Sequence, residues 1–94
     1  MLQEFEWDEA KASANLRKHK ISFEEAKTVF GDLLAKTIND PDHSIDERRF
    51  LDLGESATGK LLVVSYTQRK HQIRIISCRK ASAVERRMYE EDYG

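Results

Sequence analysis

Three arginines between residues 61 and 80 have a spacing that could serve a phosphate group. Arg69 falls in the turn between two apolar, strand-like runs, Arg74 lies within the second run, and Arg79 lies near its end. A guanidinium keeps its charge at physiological pH, and its planar fork donates paired hydrogen bonds to phosphate oxygens. In a tight hairpin the turn and the end of the second strand lie far apart, so Arg69 and Arg79 need not touch. Both are catalytic candidates, with Arg79 preferred and Arg69 also suited to positioning a ligand.

Cleavage of RNA without a metal would also require side chains that move protons from the 2′-hydroxyl and to the leaving oxygen. His19, Lys18, Glu85 and Tyr89 carry suitable groups. We prefer His19, because an imidazole exchanges protons near neutral pH. Tyr89 is a further catalytic candidate, and its alternative role is packing on a sheet. Glu85 follows Ser82 by three residues, the spacing of a capping box, so we interpret it as part of a helix N-terminus.

A polar and mostly basic stripe lies on the first predicted helix. Lys11, Asn15, Lys18 and His19 are spaced so that they share one helical face. An ordinary solvent-exposed face explains this spacing, and contact with a polyanion is the alternative. The candidates for contacts with RNA phosphates are Lys11, Lys18, Arg69, Arg74 and Lys80.

The charge distribution supports a polyanionic ligand. The formal net charge of the 94 residues is −1, but the segment 60–87 holds eight basic residues and one acid, Glu85. Such a segment suits nucleic acid, and a solvated basic surface is the alternative interpretation.

Several kinds of site lack support in the sequence. It contains no C-x-x-C pair and no H-E-x-x-H, G-x-S-x-G or Walker pattern, so we expect no metal and no cofactor. His43 stands alone among acidic residues, which favours a solvated loop histidine. The single cysteine, Cys78, lies in an apolar strand-like run and favours a reducing compartment, the cytoplasm. No signal-peptide pattern and no long apolar run is present, so we expect no membrane segment.

The elements that must position these residues follow from capping and periodicity. Asp8 predicts the start of a helix that runs to about Lys18, and the Ser22–Glu25 capping box predicts a second helix with its apolar residues, including Leu33, in the core. Short strands are predicted at residues 5–7, 35–39, 47–53, 61–67 and 73–79, with turns at 40–42 and 68–72. Ser82 opens a third helix that turns Val84 and Met88 toward the sheet.

This order predicts one α+β domain over residues 1–94, with two N-terminal helices and one C-terminal helix on a mostly antiparallel sheet of about four to five strands. Strict alternation along the last strand places Ile73, Ile75 and Ser77 on one side and Arg74, Ile76 and Cys78 on the other. Arg79 should then be in phase with Ile73 and Ile75.

Two stretches resemble a known family. Residues 5–26 read F-x-W-D-x-x-K-x-x-x-N-x-x-K-H-x-I-x-F-x-E-A, which is similar to the N-terminal signature of BrnT-type toxins. Residues 64–69 (VSYTQR), 73–77 (IRIIS) and 79–81 (RKA), followed by Glu85 and Tyr89, resemble the C-terminal signature of the same family. Cys78 stands where the family pattern suggests a small residue such as alanine.

The resemblance implies a type II toxin with a RelE-like fold that cleaves RNA without a metal and stops growth by blocking translation. It also implies a BrnA-like ribbon-helix-helix antitoxin, forming a heterotetramer that binds operator DNA through the antitoxin. Two alternatives come from other classes: a noncatalytic RNA-binding or interaction domain, and a RelE-fold toxin with another target such as gyrase.

Overall fold

The structure is a computed structural model and describes residues 3–39 and 49–91. Within these residues the α+β architecture predicted from the sequence is confirmed. The elements in chain order are β1 (Glu4–Glu6), α1 (Glu9–His19), α2 (Phe23–Lys27), a 3₁₀ turn (Thr28–Gly31), β2 (Lys36–Asn39), β3 (Arg49–Glu55), β4 (Leu61–Arg69), β5 (Gln72–Lys80) and α3 (Ala83–Glu91).

The five strands form one mixed sheet in the order β1-β5-β4-β3-β2. The strands from β2 to β5 pair antiparallel in succession, because their connections are too short for crossovers, while β1 pairs parallel with β5. We call the side that packs on α1 and α2 the inner face and the opposite side, on which α3 lies, the outer face. Ile21 and Phe23 from the helical side meet Leu62, Val64 and Ile75 of the inner face in the main core.

The predicted helix starts are confirmed. Asp8 accepts hydrogen bonds from the backbone N–H groups of Ala10 and Lys11, at 2.8 and 3.1 Å. Ser22 accepts one from the N–H of Glu25 at 3.0 Å. These caps satisfy backbone donors that have no partner within the first turn of a helix.

The second helix is shorter than predicted. It gives way to the 3₁₀ turn at Thr28, and Leu33, predicted to be in the core, is 99% exposed. The Asp32 carboxylate explains the difference, because it accepts hydrogen bonds from the N–H groups of Leu34 and Glu55 at 2.9 Å each. These bonds turn the chain toward β3, so the helix ends before residue 33 and Leu33 does not reach the core.

The orientation of α3 also differs from the prediction. Val84 is 63% and Met88 44% exposed, whereas Glu85 and Tyr89 are partly buried. Glu85 pairs with Arg79, and the Tyr89 hydroxyl donates to Asp32 at 2.6 Å, so these two contacts set the rotation of the helix.

Parts of two predictions lie outside the described residues: the turn at 40–42 with His43, and the first two residues of the strand predicted at 47–53. Within residues 3–39 and 49–91, no helix is long and apolar enough to cross a membrane.

Candidate nucleic-acid interface

An irregularity in the pairing of β5 with β4 sets the direction of the side chains on β5. Ser77 pairs with Ser65, but the next residue of β4, Tyr66, pairs with Ile75. Ile76 is therefore an extra residue, a β-bulge. A bulge of this kind shifts the alternation of side chains by one residue for the part of the strand beyond it.

The bulge brings two arginines to the same face. Arg74 pairs with Thr67 and Arg79 with Val63, and both partners lie on the outer face of β4. The prediction that Arg79 is in phase with Ile73 and Ile75 is therefore wrong, because it assumed unbroken alternation. The basic and uncharged polar residues on the outer face of β3, β4 and β5 are Arg49, Ser65, Thr67, Arg69, Gln72, Arg74, Ser77 and Arg79.

Arg79 forms a two-point ion pair with Glu85 on α3. Its Nη1 donates to Oε1 at 2.7 Å and its Nη2 to Oε2 at 2.8 Å, while Nη1 also donates to the Lys80 carbonyl at 3.3 Å. These contacts use three of the five N–H donors of a guanidinium. The Arg79 side chain is 45% exposed, so water or a ligand can reach its remaining donors.

Glu85 also completes the capping box predicted from the sequence. It accepts a hydrogen bond from the N–H of Ser82 at 2.8 Å, and its own N–H donates to the Ser82 hydroxyl at 3.2 Å. The hydrogen bond from Arg79 is the main reason why the pKa of Glu85 is lowered to about 2, and the Ser82 contacts add to the effect against the opposing influence of burial. Glu85 is therefore a carboxylate at physiological pH and keeps the Arg79 guanidinium in a fixed position.

A second basic group lies at the other end of β5. Arg69 and Arg74 share a shallow depression with Thr67, Gln72 and Glu6. Arg74 is 3.5 Å from the Glu6 carboxylate on β1. Arg69 pairs with Gln72 beside the turn, so the structure separates it from Arg79 by the length of the strand, as predicted.

The basic stripe of α1 lies beside the edge of β5. Lys11, Lys18 and His19 line an open cavity of about 230 Å³, shared with Ile76 and Ser77 of the bulge. Because Ser77 is on the outer face, this cavity borders the face that carries Arg74 and Arg79. The bulge residues Ile76 and Ser77 therefore lie between the basic stripe of α1 and the arginines of β5.

Two of the predicted site residues lie elsewhere. Lys80 pairs with Leu62, whose side chain is on the inner face, so Lys80 is on the opposite side of β5 from Arg79. Tyr89 packs against the outer-face cluster of Leu53, Leu61 and Val63, and its hydroxyl donates to Asp32.

The Asp32 carboxylate that receives the Tyr89 hydroxyl stays ionised. Burial raises its pKa, but the hydrogen bonds from Glu55, Tyr89 and Leu34 outweigh burial, so the net direction is downward. Among the residues that the structure describes, no three His, Cys, Asp or Glu side chains are grouped as potential metal ligands.

Comparison with known proteins identifies the family. The family model described as "Ribonuclease toxin, BrnT, of type II toxin-antitoxin system" matches residues 7–85. The chain belongs to the BrnT family. Its structure is similar to the crystal structure of the Brucella abortus ribonuclease toxin BrnT, with a TM-score of 0.66, 25% sequence identity, and coverage of 87% of this chain and 99% of that one. No curated protein sequence matches the chain.

One residue of this BrnT-family chain, Asn15, has a structural role that helical spacing did not predict. Asn15 was expected on the exposed stripe of α1, but it is only 6% exposed. Its Nδ2 donates to the Ile21 carbonyl and its Oδ1 accepts from the N–H of Cys78, both at 3.0 Å. Asn15 thereby fixes α1 against the edge of β5, beyond the point where β1 ends. An asparagine in a helix interior, where it competes with helical hydrogen bonding, was the available signal.

Proposed function

We propose that this BrnT-family chain is a metal-independent endoribonuclease that binds single-stranded RNA along the outer face of β5 and beside α1. The observation that carries the proposal is the bulge at Ile76, since it joins the arginines of β5 to the cavity lined by Lys11, Lys18 and His19. A track of cations with exposed side chains suits the spaced phosphates of an RNA strand.

The proposed reaction uses the 2′-hydroxyl of the RNA as the nucleophile. The 2′-oxygen attacks the adjacent phosphorus, the bond from phosphorus to the 5′-oxygen breaks, and the products are a 2′,3′-cyclic phosphate and a 5′-hydroxyl. In the proposal His19 accepts the proton from the 2′-hydroxyl and delivers it to the leaving 5′-oxygen. His19 lines the cavity, and an imidazole can both accept and donate a proton.

In the proposal, Arg79 stabilises the negative charge that develops on the phosphoryl oxygens in the transition state. Two N–H donors of its guanidinium remain beyond the contacts with Glu85 and Lys80, and fixed donors stabilise a developing charge without reorganising during the reaction. Arg69 and Arg74 hold phosphates farther along the strand, and Lys11 and Lys18 hold phosphates on the α1 side.

The two remaining candidates have weaker geometric support. Lys80 would meet RNA only if the strand also contacted the inner-face side of β5. In the proposal Tyr89 anchors α3 through Asp32, and a catalytic role for Tyr89 stays a prediction that its Phe variant tests.

The decisive experiment is incubation of the purified protein with total RNA in excess EDTA. We expect degradation, with 2′,3′-cyclic phosphate ends, and a loss of about 100-fold or more for Arg79→Ala. Arg86→Ala is the matched control, because Arg86 is an arginine of α3 whose side chain is 56% exposed and lies 3.9 Å from the Glu90 carboxylate. His19→Ala should also lose activity.

Intact RNA with the wild-type protein would overturn the proposal and favour a noncatalytic RNA-binding domain or a toxin with another target such as gyrase. If RNA is degraded without EDTA but not with it, the claim that the enzyme needs no metal would be overturned, and the claim that it cleaves RNA would stand. An Arg79→Ala variant as active as the Arg86→Ala control would remove Arg79 from its assigned role.

The biological setting is part of the proposal. As a single domain over residues 1–94, the toxin would act in the cytoplasm, inhibit translation and arrest growth. A BrnA-like ribbon-helix-helix antitoxin would neutralise it in a heterotetramer that binds operator DNA through the antitoxin. Growth arrest that co-expression of the antitoxin relieves, and a light-scattering mass equal to two copies of each chain, are the expected results.

A further inference from the structure

An apolar groove lies on the outer face between α3 and the strands β2, β3 and β4. Ile38, Leu51, Leu53, Val63 and Met88 line it, and its volume is about 150 Å³. The groove plays no part in the proposed RNA site, which follows β5 and α1. Lys36 and Glu85 also line it, and no aromatic residue does, so the groove offers no aromatic surface on which a base could stack.

The groove continues into exposed apolar surface. Ile38 on β2 is 49% exposed, and Met88 and Val84 on α3 are 44% and 63% exposed. Single exposed apolar residues are ordinary on a protein surface, but a contiguous group beside a groove marks a place where a partner binds. None of the described residues of α3 is fully buried, whereas Leu53 and Val63 on the strands beneath it are only 8% and 5% exposed, so the exposed apolar surface beside the groove comes from α3 and β2.

The charges around the groove indicate the kind of partner. Among the described residues on the outer face of β2 to β5, one side chain is acidic, Glu55, and five are basic. These five are Lys36, Arg49, Arg69, Arg74 and Arg79. Glu85 of α3 also lines the groove, and its carboxylate pairs with Arg79, so the basic side chains still outnumber the acids. Lys36 lines the groove itself, and Arg79 lies in the same row of the sheet as Leu53 and Val63.

A second copy of the chain would fit this face poorly. A two-fold dimer places the same patch against itself, so the cations of one copy would face those of the other. A segment with apolar side chains for the groove and carboxylates for the neighbouring cations would satisfy both features. It would also cover Arg79 and so exclude RNA.

We propose that the antitoxin of this toxin–antitoxin pair docks here, placing apolar side chains in the groove under Met88 and Ile38 and acidic side chains against the arginines of the outer face. Binding at this position blocks the RNA site by covering it. The blocking step rests on the proposed function, whereas the docking position does not, so the two can fail separately.

The test uses the full chain and the purified product of the gene adjoining its own as the probe. Ile38→Glu places a carboxylate at the mouth of the groove, and Met88→Glu does the same from α3. We expect each to weaken binding at least tenfold in titration calorimetry. Leu16→Glu is the matched control, because Leu16 is also 49% exposed but lies on α1, and its binding should stay within about twofold of wild type.

Each variant is also assayed for RNA cleavage without the probe and for its circular dichroism spectrum. If Ile38→Glu binds the probe weakly but has the RNA cleavage activity and the circular dichroism spectrum of the wild type, the docking position is supported. This holds even if the wild-type protein proves not to cleave RNA. Wild-type binding by both groove variants, equal loss in the Leu16→Glu control, or no binding of the probe to the wild-type chain would overturn the proposal. A wild-type dimer that Ile38→Glu converts to a monomer would overturn it in favour of a second copy.

Discussion

The exchange Glu85→Gln isolates the charge that holds Arg79 in place. The glutamine keeps a carbonyl oxygen that can accept the hydrogen bond from the N–H of Ser82, so the cap of α3 can survive the exchange. What disappears is the ionic part of the contact with Arg79, whose two donor–acceptor distances are 2.7 and 2.8 Å.

The size of the effect follows from the lowered pKa of Glu85. The ordinary value is 4.5 and the value beside Arg79 is about 2, a gap that corresponds to about 3.4 kcal/mol at roughly 1.36 kcal/mol for each pKa unit. The Arg79 side chain is 45% exposed, and water screens the attraction between exposed charges. We therefore expect Glu85→Gln to lower the free energy of unfolding by about 1–2 kcal/mol near neutral pH.

The pH dependence has a definite sign. Because the pKa of Glu85 is lower in the folded chain than in the unfolded chain, its stabilisation is complete above 4.5 and is lost as the pH falls toward about 2. Urea denaturation of the wild type and of Glu85→Gln, followed from neutral pH down to about pH 3, should show the difference between their unfolding free energies shrinking over this interval.

Glu90→Gln is the control for this experiment. Glu90 is on the same helix, and its carboxylate lies 3.9 Å from Arg86 with both side chains more than half exposed, so its loss should cost less than about 0.5 kcal/mol. Equal destabilisation by the two variants, or a difference for Glu85→Gln that does not change with pH, would refute the assignment of the effect to the Arg79 pair.

Three other exchanges test the supports of the candidate site. Tyr89→Phe removes a 2.6 Å hydrogen bond to the Asp32 carboxylate and should cost about 1–2 kcal/mol in urea denaturation while RNA cleavage persists; lost cleavage in a folded variant would restore Tyr89 as a catalytic candidate. Asn15→Ala leaves a buried backbone N–H and a backbone carbonyl without their partner, so we expect a loss of about 2–4 kcal/mol, and a loss below about 0.5 would contradict the role. Gly54→Ala would place Cβ 2.9 Å from two neighbouring side-chain carbons and should cost about 1–3 kcal/mol by calorimetry, whereas Gly31→Ala, with no atom within 4 Å of the new Cβ, should not.

The helix starts could be predicted from the sequence because their causes are local. A side chain at the N-cap accepts a hydrogen bond from a backbone N–H two or three residues away. The helix starts at Asp8, Ser22 and Ser82 can therefore be predicted from a few neighbouring residues. The strands that carry the candidate arginines were found for a similar reason, since dense β-branched and apolar residues favour a strand wherever it pairs.

The directions of individual side chains could not be predicted in the same way, because they depend on distant residues. Ile76 becomes a bulge only through the register of β5 against β4, and no residue type at that position requires it. Asn15 is buried because its Oδ1 accepts a hydrogen bond from the backbone N–H of Cys78, 63 residues later in the sequence. This N–H lies on the edge of β5 beyond the end of β1. The spacing of residues along one helix or strand contains no information about these partners, which are β4 for Ile76 and Cys78 for Asn15.

The bulge also explains how a chain of nearly zero net charge can present a basic surface. Without the extra residue, Arg74 and Arg79 would lie on opposite faces of β5, and one of them would meet the buried inner face at a large desolvation cost. With it, both side chains reach the outer face, where Glu6 and Glu85 hold them at either end of the strand. Because Glu85 of α3 lines the apolar groove and pairs with Arg79, a partner that moved this helix would also change the position of Arg79. Docking at the groove could then inhibit RNA cleavage in two ways, by covering the arginines and by displacing the carboxylate that orients one of them. Glu85→Gln separates these routes: if covering alone inhibits, the antitoxin should suppress the residual cleavage by this variant as completely as it suppresses the wild type.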